Sequence, residues 1–308
     1  IRAGIRSFNV ESLAEAQLLE SLARRLKKQV NFTLRFNPDV DAKTHPYIST
    51  GLKEDKFGLE RSEILFLARK RSADLRLVGL SVHIGSQLLD VKPVDAALEK
   101  MAALAVEIEE ILGRPLEFVD IGGGIGVRYH REKPLDIGKY CRTVARHFGR
   151  RAARPRTVFL EPGRYLVANA GILATQILYR KSRGRKEFVV VDAGMNDLIR
   201  PALYQSFHEI LPTHRRGTRA EMTADVVGPV CESSDFLGKG RKIPRDLQSG
   251  DYLAVLSCGA YAFSMSSQYN SRPRAAEVLI DRKQVTLIRR RETIADLMRG
   301  EKPRMRKS

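Results

Sequence analysis

Apolar residues in the first half of the chain alternate between two spacings. Short runs at residues 5–10, 32–36, 77–84, 118–121 and 158–160 have the length and the Val, Ile, Leu and Phe content of buried strands. Between them, residues 13–26, 62–69, 94–112 and 137–148 repeat apolar positions every three or four residues, which predicts helices with one buried face. Strands joined by helical crossovers pair in parallel, and successive strands roughly 40 residues apart fit a (β/α) barrel with enlarged loops. Closing such a barrel takes about eight strands. Five predict a partial TIM-type barrel, over residues 1–168.

The pattern changes after about residue 169. Runs at 188–191, 225–230, 252–256, 276–280 and 285–288 follow one another with turn residues between them and little helix. This predicts a mostly antiparallel β domain over residues 169–308. The fold class is therefore α/β plus β, in two domains.

Composition adds charge to that picture. Lys and Arg number 54 against 36 Asp and Glu, a formal net charge of +18. Such an excess attracts polyanions, but the densest basic runs, at 24–28, 146–156, 180–186 and 299–307, are scattered over helix ends, loops and a terminus. No aromatic RNA-binding signature, zinc finger or helix-turn-helix accompanies them. They read as a solvated basic surface, and nucleic acid is not an expected partner. Cys141, Cys231 and Cys258 are far apart and form no C-x-x-C pair, so neither a disulfide framework nor a metal site is indicated, and a reducing cytoplasm is expected. No apolar run approaches the roughly 20 residues that span a bilayer.

Chemistry concentrates directly after the first-half strands, at Val82-His83-Ile84-Gly85-Ser86-Gln87, Asp120-Ile121-Gly122-Gly123-Gly124-Ile125-Gly126 and Glu161-Pro162-Gly163-Arg164. In parallel α/β folds the carboxyl ends of the strands form the reactive face, so these stretches are expected to converge. Gly122, Gly123 and Gly124 suit close approach of backbone N–H groups to a phosphate, though a glycine turn without a ligand explains them equally well. A Rossmann loop fails, because the third glycine is missing at its spacing and Arg128-Tyr129-His130-Arg131-Glu132-Lys133-Pro134 cannot open the required helix. His83 is either a satisfied structural histidine or a face for a planar cofactor ring, with Ser86 as a phosphate donor. Glu161 either pairs with Arg164 or keeps a pyridine nitrogen protonated, as an electron-sink cofactor requires.

The second half adds Asp192-Ala193-Gly194-Met195-Asn196-Asp197-Leu198-Ile199-Arg200-Pro201-Ala202-Leu203-Tyr204, then Gly228-Pro229-Val230-Cys231-Glu232-Ser233, then Gly259-Ala260-Tyr261. Polar runs of this kind between strands are where functional loops belong. Cys231 is either a half-buried thiol or, beside Glu232, a proton donor.

At these residues the sequence resembles the diaminopimelate decarboxylases, pyridoxal-phosphate enzymes of the alanine-racemase-like barrel class. The shared wording includes Phe8-Asn9-Val10-Glu11-Ser12, Asn37-Pro38-Asp39-Val40, His45-Pro46-Tyr47-Ile48-Ser49-Thr50-Gly51, the three stretches at the strand ends, the 192–204 and 229–232 loops, and Tyr269-Asn270-Ser271-Arg272-Pro273-Arg274-Ala275-Ala276-Glu277. The resemblance runs from residue 1 to about residue 297 and implies pyridoxal 5'-phosphate as cofactor. His83 would stack on its ring, Glu161 would face its pyridine nitrogen, and Ser86, Gly122, Gly123, Gly124, Pro162, Gly163 and Arg164 would surround its phosphate. Arg164, Arg200, Tyr204 and Glu232 would hold the substrate, Tyr261 would touch both substrate and cofactor, and Cys231 would deliver the proton that replaces the lost carboxyl group. The resemblance also implies a homodimer with shared sites.

The implied substrate is meso-diaminopimelate, which carries an amino-acid head at each end. With one end engaged, the other still presents a carboxylate, suited to Arg200 and Arg164, and an ammonium, suited to Glu232. Ornithine and arginine decarboxylases of the same class meet only a distal cation, and carboxynorspermidine-type decarboxylases are a further alternative. Ala262, Ser234 and Gln268 depart from the family's usual Gly, Gly and Asn without removing a charged or proton-transferring group. The larger departure is the family's cofactor-linking lysine, in a Tyr-Ala-x-Lys-Ala-Asn setting, which has no counterpart among the 308 residues; neither Lys43 nor Lys53 has that context. The expectation is a fragment of a longer coding sequence, inactive alone, or else a degenerate relative kept for binding or assembly.

Overall fold

The computed structural model describes residues 1–41, 56–70, 72–214, 217 and 220–302. The His45–Gly51 stretch, Lys43, Lys53 and the end of the basic tail lie outside them. The chain forms two compact units: Ile1–Arg128 with Glu132–Tyr165, and Tyr129–Arg131 with Leu166–Ser308.

The first unit alternates β1 (Phe8–Val10), α1 (Leu13–Arg25), β2 (Val30–Phe36), α2 (Arg61–Arg69), β3 (Leu75–Val82), α3 (Val91–Leu112), β4 (Phe118–Asp120), α4 (Ile137–Phe148) and β5 (Thr157–Phe159). All four pairings are parallel, in the order β1-β2-β3-β4-β5, giving the barrel-like sheet that the alternation predicts. Helix starts follow local chemistry: Ser12 accepts from the Glu15 N–H, Asp90 from Lys92 and Asp136 from Lys139. Gly113, left-handed at φ +67°, closes α3. Leu34, Leu80 and Val119 on the strands pack with Leu98, Met101, Leu104 and Ile108 of α3 in one core. The register pairs Phe36 with Val82, Ser81 with Asp120, and Asp120 with Phe159, so the residues that leave β2 to β5 emerge on one face.

In the second unit, β6 (Leu173–Arg183), β7 (Lys186–Val191), β8 (Ile210–Pro212), β9 (Glu221–Val227), β10 (Phe236–Pro244) and β11 (Tyr252–Val255) form a sheet in the order β10-β9-β7-β6-β11-β8. It is antiparallel except for β7 with β9. The outer strands β8 and β10 approach each other, so the sheet nearly closes around Ile177, Val189, Val226, Leu237 and Leu253. β12 (Glu277–Asp281) and β13 (Gln284–Arg289) form a separate hairpin. The short helices α5 (Gly163–Val167), α6 (Arg200–Tyr204) and α7 (Ile294–Leu297) complete the chain. Among the described residues, no helix is long and apolar enough to cross a membrane.

Candidate active site

In the first unit, a cavity of about 250 Å³ lies at the carboxyl ends of the strands, lined by residues that include Glu11, Arg35, His83, Asp120, Gly122 and Glu161. His83 follows β3, and its Nδ1 accepts from the Gly123 N–H at 3.2 Å. Burial, and then the nearby Arg35 charge, lower its pKa, so the imidazole is neutral with its proton on Nε2.

The glycine loop is interleaved with its neighbours. A Cβ on Gly123 would fall 2.0 Å from the Glu161 carbonyl, and one on Gly124 2.1 Å from the Gly85 carbonyl. Only glycine lets the β4 loop lie between those that follow β3 and β5. Two of the three glycine N–H groups are engaged, Gly122 with Asp120 Oδ1 at 2.9 Å and Gly123 with His83. Capacity for an anion therefore rests on Gly124, Ser86 and Arg164. The Arg164 guanidinium is buried, and its Nη2 donates to Ser86 Oγ at 2.9 Å. Gly163 has open space on its Cα, and Pro162 is half-buried. Glu161 shares a hydrogen bond with Asp120; partial burial and then that second carboxylate raise its pKa, so Glu161 holds its proton more tightly than a lone carboxyl does.

In the second unit, Asp235 organises the turn that carries Cys231 and Glu232. Its carboxylate accepts from the Met195 N–H at 2.7 Å and the Val230 N–H at 2.5 Å. Cys231 and Glu232 are exposed. Glu232 accepts from the Ser234 hydroxyl and from the Tyr269 hydroxyl at 2.8 Å, and these bonds lower its pKa. It lines a cavity of about 440 Å³ with Met195, Asn196, Ile199, Ser267 and Tyr269. Arg200, at the start of α6, is buried in a different cluster with Tyr129 and His208, and Tyr204 ends the same helix, half-buried. Tyr261 is exposed, with φ at +58°.

Residues 1–168 match the family model described as pyridoxal-dependent decarboxylase, pyridoxal binding domain. The diaminopimelate decarboxylase of Neisseria meningitidis serogroup A is 46% identical over 303 residues, covering 98% of this chain and 73% of the relative. That of Aquifex aeolicus is 44% identical over 294 residues, covering 94% and 68%. The crystal structure of diaminopimelate decarboxylase from Helicobacter pylori complexed with L-lysine superposes with a TM-score of 0.90 at 44% identity, covering 97% of this chain and 73% of that one. The chain belongs to the diaminopimelate decarboxylase family.

A diaminopimelate decarboxylase uses pyridoxal phosphate, and the first unit's donor set fits that group. A buried guanidinium, a hydroxyl and a glycine loop lie on the strand-end face for a phosphate, a neutral imidazole can take a ring face, and a proton-retaining carboxyl can meet a ring nitrogen. Sequence reasoning singled out most of these groups. It assigned no role to Asp120, although Asp120 stood in a quoted motif directly before the glycine loop. Tyr269 stood in a stretch shared with the family but without a role, and Asp235 and His208, inside loops, gave no signal.

Proposed function

We propose that this protein catalyses the decarboxylation of meso-2,6-diaminopimelate to L-lysine and CO₂, the last step of lysine biosynthesis. Pyridoxal phosphate, when bound, supplies the electron sink for the bond pair released as CO₂ leaves. Arg164, Ser86 and the Gly122-Gly123-Gly124 loop, with Pro162 and Gly163, hold its phosphate. His83 supports the ring face, and Glu161 holds a proton at the ring nitrogen. Arg200 takes the second carboxylate of the substrate, Glu232 takes its second ammonium, Tyr204 and Tyr261 line the substrate, and Cys231 delivers the proton to the carbon that lost its carboxyl group. Residues 1–168 are the cofactor-binding domain and residues 169–308 supply the substrate loops.

The observation that carries this reading is the pairing of a buried Arg164 with Ser86 beside a loop that admits only glycine, on the same face as neutral His83 and the Glu161–Asp120 pair. The charge of Glu232 supports the substrate assignment: two hydroxyl donors keep it anionic for an ammonium. The family resemblance supports a cytoplasmic homodimer, which light scattering of the purified protein tests. The activity test supplies the full-length, cofactor-loaded protein with meso-diaminopimelate, ornithine and arginine separately. Lysine from the first is expected; equal or better turnover of either of the others refutes the substrate.

A further inference from the structure

Arg200 is held by two residues to which neither sequence motif nor family resemblance assigned a role. Its Nη1 lies 2.8 Å from Nε2 of His208, a residue with no exposed surface. The other ring nitrogen, Nδ1, lies 2.9 Å from the Leu256 carbonyl oxygen. A carbonyl only accepts, so Nδ1 carries the proton and Nε2 presents its lone pair to the guanidinium. The imidazole is thus fixed as one neutral tautomer with both nitrogens used. The guanidinium also lies over the ring of Tyr129, 4.6 Å from its centroid, and Tyr129 meets His208 edge-on at 5.3 Å. Tyr129 is anchored in turn by the next residue, His130, stacked 3.8 Å from Phe207, the neighbour of His208 in sequence.

The backbone completes the clamp. Gln205, left-handed at φ +53°, ends α6 with its N–H on the Arg200 carbonyl and turns the chain so that His208 returns to the side chain eight positions earlier. Neither partner carries a negative charge. An aspartate in place of His208 would hold Arg200 more strongly but would compete with an incoming carboxylate. A lone pair and an aromatic face orient the cation without adding a competing negative charge.

We propose that His208 and Tyr129 are positioning residues that set Arg200 for the second carboxylate of the substrate. This rests on the assignment of Arg200 to that carboxylate under the proposed function. The test uses the full-length, cofactor-loaded enzyme and two inhibitors: L-lysine keeps the second carboxylate, and 1,5-diaminopentane lacks it. His208→Asn still donates to Leu256 but cannot reach Arg200, whereas His208→Gln restores an acceptor near the Nε2 position. Tyr129→Leu removes the ring face and Tyr129→Phe keeps it.

We expect His208→Asn and Tyr129→Leu to raise KM for meso-diaminopimelate and Ki for L-lysine together, about tenfold or more, with kcat within about threefold. Ki for 1,5-diaminopentane should not move, and His208→Gln and Tyr129→Phe should recover most of the loss. If Arg200→Ala raises both constants and His208→Asn moves neither, the positioning role is wrong while the assignment of Arg200 stands. If Arg200→Ala itself moves neither, that assignment fails and the positioning role with it. A general loss of kcat and of 1,5-diaminopentane binding in His208→Asn, unrestored by His208→Gln, makes His208 a fold residue and overturns the proposal.

Discussion

Glu161 and Asp120 set a functional requirement against stability within one pair of side chains. Partial burial and the second carboxylate raise the Glu161 pKa above its ordinary 4.5. The folded protein therefore binds that proton more tightly than the unfolded chain does. The resulting stabilisation is complete below pH 4.5 and is lost as pH rises through the higher folded value. At neutral pH ionised Glu161 is therefore a net cost to the fold. Glu161→Gln should raise the melting temperature of the cofactor-free protein at pH 7, by an amount that shrinks toward pH 4.5, while kcat of the loaded enzyme falls. A melting temperature unchanged at pH 7 would mean that the carboxyls do not interact. Cys231 poses the complementary case, since the proposed function gives its thiol a step only after CO₂ has left. Cys231→Ala should leave cofactor absorbance intact and lower kcat about a hundredfold; full rate with clean lysine would remove it from proton delivery.

At the scale of elements, the three loops that follow β3, β4 and β5 depend on one another through backbone. Gly123→Ala would drive a Cβ against the Glu161 carbonyl, so its cost falls on the loop that follows β5. Urea unfolding should show a loss of about 2–4 kcal/mol, with weakened cofactor binding. Gly163→Ala, whose Cβ would meet no heavy atom within 4 Å, should stay within about 0.5 kcal/mol. Periodicity made the first-unit elements legible because each helix buries one face and β2, β3 and β4 bury most of their side chains. The strand expected at 5–10 begins only at Phe8, since Ile5 is exposed, and the one expected at 77–84 ends at Val82, where the chain turns toward Gly85. Three second-unit strands escaped the pattern. The last half of β6 is exposed on both faces, β8 has only three residues, and β10 carries two glycines and a proline with two register shifts against β9. The parallel pairing of β7 with β9 also escaped, because strand order is set by contacts distant in sequence. In the site, residues in quoted motifs were legible, whereas His208 was not: its role comes from a reversal of chain after α6 that no local spacing announces.

For the whole molecule, the net charge of +18 invites a role in binding polyanions, and where the cations sit argues against a specific one. Arg24 and Arg25 end α1, and Arg146 and His147 end α4, where the helix dipole favours positive charge. Arg24 also pairs with Asp74, Arg146 with Asp95, and Arg156 with the buried Glu109. Arg180, Lys181, Arg183, Arg185 and Lys186 cluster about the β6–β7 turn, where Lys186 is paired with Asp225. Many of the cations are thus committed to helix ends and ion pairs, and the basic runs are scattered along the sequence. Dispersed charge binds a polyanion through counterion release alone, without base readout. Filter binding with mixed-sequence duplex DNA should give dissociation constants of about 10⁻⁶ to 10⁻⁴ M near physiological salt, equal for unrelated sequences, with log K falling linearly against log salt. Saturating DNA should leave KM for meso-diaminopimelate unchanged. Sequence-dependent binding that survives about 0.3 M salt would need contacts beyond phosphate and would establish a second role for the basic surface.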